Sequence, residues 1–284
     1  MGAGVMNIMM RRSISLLAVA AILVTNVAIA STSVAQGPPD GFSLPPQAQE
    51  VAPGVWFLGT GVDNGLPVVG YAYEHHRDGH DGGPGGGGGN DGGEDPPSDA
   101  SSCYSFIANG AHWQSPEAVT VDASNPVGAT FGDIEAWMRT WEDHASGIYG
   151  AFGAGSNLTA DTSSTDGSNE VYFDEIADAG VLGFTIVWSS RIGPPTSRPI
   201  VEADMVVDPN WNWWIGTEGD GTIGADQLDL AAVFAHEAGH YVGLGHTDAT
   251  GCEAQTMYPS LSSGDDTKQS LDVGDTAGVI DLYN

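Results

Sequence analysis

Positively charged side chains are scarce in this sequence. Only seven of its 284 residues are Lys or Arg, against 37 that are Asp or Glu, and the formal net charge is −30. This balance argues against nucleic acid as a partner, because its phosphates would be repelled. Two explanations of the acidity stay open: a salty environment whose ions screen the repulsion, or calcium sites built from carboxylates. We favour the first, because the acidic residues are spread along the chain.

Long apolar runs are equally scarce. The main one, residues 14–24, follows Arg11-Arg12 and precedes Ala28-Ile29-Ala30, which fits a small-residue cleavage site. The run is too short for a convincing membrane span. We therefore expect residues 1–30 to be a signal peptide. The mature protein should be secreted and soluble, without a membrane span.

Cysteine is nearly absent. Cys103 and Cys252 are the only two, and an even number in an exported protein indicates a disulfide. Such a bond would pin the loop around Cys252 to the start of the main domain. Closing so long a loop would contribute about 4–5 kcal/mol in the chain-entropy model, less any strain.

Apolar residues are also rare in residues 77–102, which are dominated by Gly, Asp and Pro. This stretch cannot bury enough apolar surface to order itself, so we predict a flexible linker. Three histidines lie beside it or in it, and we expect them to be solvated loop residues: His75, His76 and His80.

The N-terminal segment, residues 31–102, allows two interpretations. Residues 54–58 and 68–73 have strand-like patterns ahead of the linker. The segment is either a removable propeptide or a strand pair of the mature domain that carries a long insertion. We favour the strand pair, because residues 71–73 and 104–106 resemble two strands that face each other.

A segment near the C-terminus carries the chemistry. Residues 236–246 read HEAGHYVGLGH, which places three imidazoles and the carboxylate of Glu237 at fixed offsets. On a helix, His236 and His240 project from the same face and can reach one ion. Gly243 can adopt the left-handed conformation that ends a helix, so the chain can turn and bring back His246. Three neutral protein ligands with an open fourth position are typical of a catalytic zinc site.

The residues before this segment predict a buried helix. Residues 228–235 form a largely apolar run. Asp226 is the predicted N-cap, and Asp229 places a second negative charge in the first turn, where it is favourable.

The segment resembles the zinc signature of the metzincin metallopeptidases. Residues 255–259, Gln-Thr-Met-Tyr-Pro, look like their Met-turn, and the Met-Tyr-Pro form is most similar to the matrixin branch. The resemblance covers residues 118–284. It implies an α/β (α+β) catalytic domain with a five-stranded, mixed, twisted sheet and three helices. A zinc cleft would separate a larger N-terminal subdomain from a smaller C-terminal one.

Local patterns predict the same order of elements. Strands are predicted at residues 118–122, 169–173, 183–189 and 200–207, and helices at residues 132–144, around the zinc signature, and at residues 275–282. We therefore predict one matrixin-like domain over residues 103–284.

The resemblance also implies roles for single residues. Zinc would be bound by the three histidines, and Glu237 would act as general base. Met257 would form an apolar floor beneath the zinc. Tyr258 and Pro259 would border the pocket for the residue after the cleaved bond. Residues 183–189 would form the edge strand to which an extended protein or peptide substrate adds.

Two features depart from the vertebrate members of the family, and a third stays open. No histidine lies between His144 and His236, so their second, structural zinc site is missing. Their Pro-Arg-Cys-Gly segment is also missing, so we favour the disulfide over a thiolate that binds zinc and keeps the enzyme latent. Asp204 and Asp208 are either calcium ligands or exposed, solvated acids at strand ends.

Two functions remain. The first is a secreted, monomeric zinc-dependent endopeptidase that cleaves proteins or peptides. The alternative is an extracellular surface or matrix-binding protein whose metal site is structural or inactive. Glu237 discriminates between them, because a purely structural three-histidine site has no use for a carboxylate at that position. Asn157, in Asn-Leu-Thr, is a candidate glycosylation site.

Overall fold

The computed structural model describes residues 41–78 and 99–284. The predicted signal peptide and most of the predicted linker, including His80, lie outside these residues. Among the helices of the described part, none is both long and apolar enough to cross a bilayer.

The described residues form thirteen strands and three α-helices. The strands are β1 Gln49–Ala52, β2 Val55–Asp63, β3 Leu66–Arg77, β4 Ser105–Phe106, β5 Glu117–Asp122, β6 Tyr149–Gly155, β7 Glu170–Phe173, β8 Val181–Ser190, β9 Ile200–Val207, β10 Trp213–Trp214, β11 Leu228–Asp229, β12 Leu244–Gly245 and β13 Ser260–Leu261. The α-helices are α1 Phe131–Arg139, α2 Leu230–Val242 and α3 Val273–Tyr283. Short 3-10 helices cover Ala100–Ser102, Ile107–Asn109, Thr140–Asp143 and Pro195–Ser197.

One mixed sheet organises the fold, in the order β1-β2-β3-β8-β9-β7-β5-β6, and β13 pairs with β3. Strands β6, β5, β7 and β9 run parallel, and β8 is antiparallel to β9. These five strands match the mixed sheet that the resemblance implies, so the predicted fold class is confirmed. The sequence analysis did not predict β6, because its three glycines weaken the strand pattern.

Strands β1 to β3 extend this sheet beyond β8. Strand β3 lies between β2 and β8 and is antiparallel to both. The prediction that residues 183–189 form an edge strand is therefore wrong. The predicted pairing of residues 71–73 with residues 104–106 is also wrong, because β4 pairs with β12. Periodicity predicts a strand but cannot choose among partners that are distant in sequence.

The two faces of the sheet bury different sets of side chains. On β8, Val187 belongs to the main core, whereas Phe184, Ile186 and Trp188 belong to a second cluster. This alternation follows from the period of two in a strand. The main core contains residues of α1 and α2, so it lies between these helices and the sheet. Helix α2 is consequently held rigidly under the sheet.

The helix ends differ slightly from the predicted ones. The N-cap of α2 is Asp229, not Asp226, since the Asp229 carboxylate accepts hydrogen bonds from the N–H groups of Ala231 and Ala232. Helix α3 begins two residues before its predicted start, because Asp272 and Asp275 form a capping box there. For α2 the sequence offered two acids near the helix start, Asp226 and Asp229, and only the structure distinguishes them.

Candidate metal centre

Helix α2 holds the first two histidines in one orientation. All of its residues are buried, including His236 and His240, which lie one turn apart. The Trp141 indole N–H donates to the Ala235 carbonyl at 2.9 Å and fixes the helix against the 3-10 helix at Thr140–Asp143. Packing therefore sets the direction in which both imidazoles point.

A turn at Gly243 returns the chain to the face of α2 that carries these histidines. The φ angle of Gly243 is 115°, in the left-handed region, and a Cβ there would lie 2.4 Å from the Ala111 carbonyl oxygen. Glycine is therefore required. Strand β12 follows and pairs with β4, and Ser105 Oγ donates to the His246 carbonyl at 2.7 Å. These contacts bring His246 beside the other two imidazoles.

Hydrogen bonds define which nitrogen of each α2 histidine carries the proton. His236 Nδ1 lies 2.7 Å from the Thr256 carbonyl oxygen, and His240 Nδ1 lies 2.9 Å from the Leu244 carbonyl oxygen. Because a carbonyl only accepts, Nδ1 is the protonated nitrogen in both rings. Burial lowers the pKa of both histidines well below the ordinary value, so the rings are neutral. Their Nε2 atoms are left as lone-pair donors.

These lone pairs converge. His240 Nε2 lies 3.1 Å from His236 Nε2 and 3.1 Å from His246 Nε2. Two unprotonated nitrogens at this distance repel each other and cannot form a hydrogen bond, so the arrangement calls for a cation among them. Three neutral imidazoles, two of them oriented by backbone carbonyls, are a donor set that suits zinc. The residues present therefore fit a zinc ion.

Glu237 lies beside the imidazoles and is fully buried. Its Oε2 accepts a hydrogen bond from Thr185 Oγ1 on β8 at 2.5 Å, while its Oε1 has no hydrogen-bond partner among the described residues. Gly183 gives the carboxylate room, since a Cβ there would lie 3.1 Å from Oε1. Burial raises the pKa of Glu237 to about 8, although the Thr185 hydrogen bond opposes the shift. A carboxyl group in such surroundings can hold a proton near neutral pH.

Met257 lies directly beneath α2. Its sulfur is so close that a Cβ at Gly239 would be 2.0 Å from Sδ, and Met257 is 1% exposed. Asp275 of α3 holds the turn: its carboxylate accepts hydrogen bonds from the N–H groups of Thr256 at 2.7 Å and Met257 at 3.1 Å. Since Thr256 also orients His236, the turn and the metal centre share one support.

Comparison with known proteins agrees with this geometry. The model of the matrixin family, Peptidase M10, matches residues 130–284, which is more than half of the chain. The chain belongs to the matrixin family. Matrixins are zinc metalloendopeptidases, so the family implies a zinc ion, and the three histidines are a group that could hold it.

Two relatives of this matrixin come from Arabidopsis thaliana. Metalloendoproteinase 2-MMP is 31% identical over 105 residues, which cover 37% of this chain and 24% of the relative. Metalloendoproteinase 1-MMP is 46% identical over 56 residues, which cover 20% of this chain and 14% of the relative. The match thus spans about a quarter of the first relative and less of the second.

The other residues singled out from the sequence lie at several places. Cys103 and Cys252 form a disulfide that joins residues 149 positions apart in sequence. Tyr258 is partly buried, with Lys268 Nζ 5.0 Å from its ring centre, and the Pro259 carbonyl accepts a hydrogen bond from the His76 N–H.

Asp204 and Asp208 do not match the expectation of exposed acids at strand ends. Both are buried, and each accepts two backbone hydrogen bonds: Asp204 from residues 161 and 170, and Asp208 from residues 176 and 210. The sequence predicted the strand at residues 200–207 but not the loops whose backbone N–H groups bind these two carboxylates.

Sequence reasoning missed four residues around the centre, namely Tyr73, His75, Thr185 and Asp275. The expectation that His75 and His76 are solvated is wrong, because both are buried at the end of β3. The sequence contained a signal for the burial of His75. Alternate residues of a strand share one face of the sheet, and His75 alternates with Tyr71 and Tyr73. Nothing local connects these residues with the zinc signature, which lies far along the chain.

Proposed function

We propose that this matrixin is a secreted, zinc-dependent endopeptidase in which Glu237 is the general base. One observation carries the proposal: the neutral imidazoles of His236, His240 and His246 converge beside a carboxylate whose Oε1 has no hydrogen-bond partner within residues 41–78 and 99–284. A structural site would need the imidazoles alone. A carboxylate buried next to the imidazoles is needed only if it transfers a proton during the reaction.

The chain's own residues would divide the work of peptide hydrolysis. Zinc at the three imidazoles would supply Lewis acidity to the scissile carbonyl and make water a stronger acid. Glu237 takes a proton from the attacking water through Oε1 and passes it to the leaving amine. Thr185 holds the other carboxylate oxygen, so Oε1 keeps its direction through both transfers.

The proposed substrate is an extended segment of a protein or peptide. Strands β8 and β13 are two walls that lie one strand apart, and in this structure β3 pairs with both of them. An extended chain could form backbone hydrogen bonds with both walls. Tyr258 and Pro259 precede β13, which supports the proposal that they border the pocket for the residue after the cleaved bond.

The test is to replace Glu237 with Ala. We expect the variant to keep about one zinc per chain, because the imidazoles hold the metal. Its turnover number should be about 10²–10⁴-fold lower than that of the wild type. Turnover of denatured casein and of short fluorogenic peptides is compared as a ratio between variants, with zinc measured by elemental analysis.

Glu253→Ala is the matched control, because it removes an exposed carboxylate from the loop before the Met-turn. It should leave both readouts unchanged. Wild-type proteolysis by Glu237→Ala would refute the assigned mechanism. If the zinc-loaded wild type cleaved neither casein nor any peptide, the result would favour the alternative, an extracellular surface or matrix-binding protein with a structural metal site.

Export is the second part of the proposal. The Cys103–Cys252 disulfide supports it, because such bonds persist in oxidising compartments outside the cytosol. N-terminal sequencing of protein from the culture medium should show a start near residue 31. The proposed monomer is checked on the same sample by light scattering.

Calcium is the third part. Carboxylate oxygens of Asp161, Asp166 and Glu202 all lie within 4.8 Å of one another. Glu202 is fully buried and its Oε1 has no hydrogen-bond partner among the described residues. Hard oxygen ligands of this kind suit calcium. Both carboxylate oxygens of Asp204 and of Asp208 accept backbone hydrogen bonds, whereas Glu202 accepts them through Oε2 alone. We therefore move the calcium proposal from Asp204 and Asp208 to these three acids.

Calcium should raise the melting temperature at constant ionic strength, and Glu202→Gln should remove most of that gain. Magnesium at equal concentration is the control. An equal response of the wild type and of Glu202→Gln would contradict this location.

A further inference from the structure

The single lysine of the chain lies close to the metal centre. Lys268 belongs to the loop between β13 and α3 and is 7% exposed. Thr256 connects this loop with the centre, because its carbonyl accepts a hydrogen bond from His236. The Thr256 hydroxyl donates to the carbonyls of Lys268 at 3.5 Å and Ser270 at 3.1 Å. One residue therefore separates the backbone at Lys268 from a candidate metal ligand.

The loop around Lys268 is fixed in place. Gln269 Nε2 donates to the Asp229 carboxylate at 2.9 Å, and Gln269 Oε1 accepts from the Glu218 N–H at 3.0 Å. Asp229 is the N-cap of α2, the helix that carries two of the three histidines. The loop is thus tied both to this helix and to the Met-turn, which sets the position of the lysine relative to the centre.

The ammonium group of Lys268 has few acceptors. Its Nζ donates to the Ser260 carbonyl at 3.3 Å and lies 5.0 Å from the centre of the Tyr258 ring. An ammonium has three N–H donors. In residues 41–78 and 99–284, Arg139 is the only Lys or Arg whose side chain lies within 4.0 Å of a carboxylate oxygen. The lysine of a chain with 37 acids is therefore buried without a contacting carboxylate, although buried charges are ordinarily paired.

The acids nearest to Lys268 are bound to other groups. Burial lowers the pKa of Lys268, and the charges of four carboxylates oppose this shift: Asp265, Asp78, Asp275 and Glu253. Each of the four accepts a hydrogen bond from a hydroxyl or a backbone N–H elsewhere. They stabilise the charged ammonium from beyond contact distance, so its remaining donors are left for an incoming anion.

The two groups that contact the ammonium belong to the proposed substrate site. Ser260 is the first residue of β13, one of the two proposed walls, and Tyr258 is proposed to border the pocket for the residue after the cleaved bond. A side chain that enters this pocket would therefore approach Lys268. A carboxylate there would form charge-assisted hydrogen bonds, which are stronger than neutral ones, and salt screens a buried pair less than an exposed one.

We propose that Lys268 is a specificity-determining residue whose ammonium binds the carboxylate of an aspartate or glutamate directly after the cleaved bond. The proposal rests on the proposed function, since it names the substrate class of the same site. An acidic side chain would complete the hydrogen bonds of the ammonium. A neutral side chain of the same size would leave the buried charge unpaired, which costs free energy.

The test compares peptides that differ only in the residue after the cleaved bond. The full-length, zinc-loaded protein is given pairs with Glu or Gln and with Asp or Asn at this position, and mass spectrometry verifies the bond that is cut. We expect kcat/KM for each acid to exceed that for its amide at least about tenfold. Lys268→Met should abolish the preference, and Lys268→Arg should keep most of it.

Arg191→Met is the matched control. It removes a positive charge from an exposed residue just after β8, so it changes the net charge as Lys268→Met does. The control should keep the wild-type preference for acids. Loss of the preference in both variants would show that it follows from the net charge and would overturn the role of Lys268.

A binding measurement is independent of catalysis. Because Lys268 is the only lysine, labelling lysine at its side-chain nitrogen with an NMR-active isotope gives one ammonium signal. In the zinc-loaded Glu237→Ala variant, the Glu peptide should shift this signal and the Gln peptide should not. If Lys268→Met fails to fold, this measurement decides in its place.

The outcomes separate this proposal from the proposed function. Equal cleavage of acid and amide peptides by the wild type would overturn the specificity and leave the peptidase intact. A preference for acids that persists in Lys268→Met would also overturn it. A shift of the ammonium signal by the Glu peptide alone, without cleavage of any peptide by the wild type, would support the carboxylate site and overturn the peptidase.

Discussion

At the residue scale, the orientation of Glu237 depends on one hydroxyl. Thr185 is fully buried on β8 and donates to Glu237 Oε2 at 2.5 Å. Its neighbour Gly183 leaves the carboxylate its space. The carboxylate is therefore positioned from the sheet, although it belongs to the helix. Under the proposed function, β8 connects the proposed base with the proposed substrate site.

Replacing Thr185 with Val keeps the shape of the side chain and removes the donor. A hydrogen bond to a charged group contributes about 1.5–3 kcal/mol, so we expect kcat to fall about 10- to 100-fold while KM stays unchanged. Steady-state kinetics with a fluorogenic peptide measure both. Thr185→Ser should restore most of the rate, and zinc content should stay constant. A rise in KM alone would show that Thr185 acts on substrate binding instead.

At the element scale, the metal centre depends on segments that are distant in the chain. Helix α3 holds the Met-turn through Asp275, β4 positions the turn after α2, and the disulfide ties the start of this region to the loop that follows His246. Each contact joins a distant element to the zinc signature or to the loop and turn that follow it. The centre therefore forms only when the tertiary structure does.

Removing the disulfide with Cys103→Ser/Cys252→Ser should lower the free energy of unfolding by about 4–5 kcal/mol in the chain-entropy model. Urea unfolding in molar salt measures the loss, and thiol titration of the wild type should find no free thiol. Reduction should not raise proteolysis. A rise in proteolysis after reduction or alkylation would instead indicate a thiolate that keeps the enzyme latent.

Three neighbouring acids predict a pH dependence: one in the loop before β7, one at the start of β7 and one in β9. Burial, reinforced by neighbouring carboxylates, raises the pKa of Asp161 to about 6, of Glu170 to about 7 and of Glu202 to about 8. In this window the folded state binds more protons than the unfolded state, so its stability falls as pH rises from about 4 to about 8. Melting temperatures in a chelator should show this fall. Glu202→Gln should reduce the fall in melting temperature at the upper end of this pH range. A melting temperature that rises between pH 6 and 8 would contradict the raised pKa values of these three acids.

At the scale of the whole molecule, repulsion among carboxylates dominates the electrostatics. A net charge of −30 is carried by a compact fold, and removal of residues 1–30 would take away two arginines and no acid. Folding brings the charges closer together, so the folded state bears more of the repulsion than the unfolded chain. Ions in solution weaken this effect.

Sodium chloride should therefore stabilise the protein. The Debye length falls from about 30 Å at 0.01 M to about 3 Å at 1 M, so we expect the melting temperature and the activity to rise with salt, with much of the gain by a few tenths molar. Scanning calorimetry across this range checks the trend. A melting temperature that does not change with sodium chloride but rises steeply with calcium would favour calcium sites as the reason for the excess of acidic residues.

The sequence alone determined the chemistry of the centre and most of its framework. His236, Glu237, His240, Gly243 and His246 lie within one helix and one turn, so their geometry depends on local spacing. Local patterns also predicted the three helices and four of the five strands that match the family's sheet. The exception is the glycine-rich β6. Two cysteines allowed one intramolecular pairing, and the structure contains it.

Only the tertiary structure decided which segments cover this centre. Residues 66–77 read as a strand, but the sequence contains no signal that they pair with residues 181–190 and 260–261. The same is true of the burial of His75, Asp204 and Asp208, which depends on neighbours from distant parts of the chain. Helix and strand patterns arise from interactions over a few residues, whereas strand order and burial are set by the free energy of the whole packed fold.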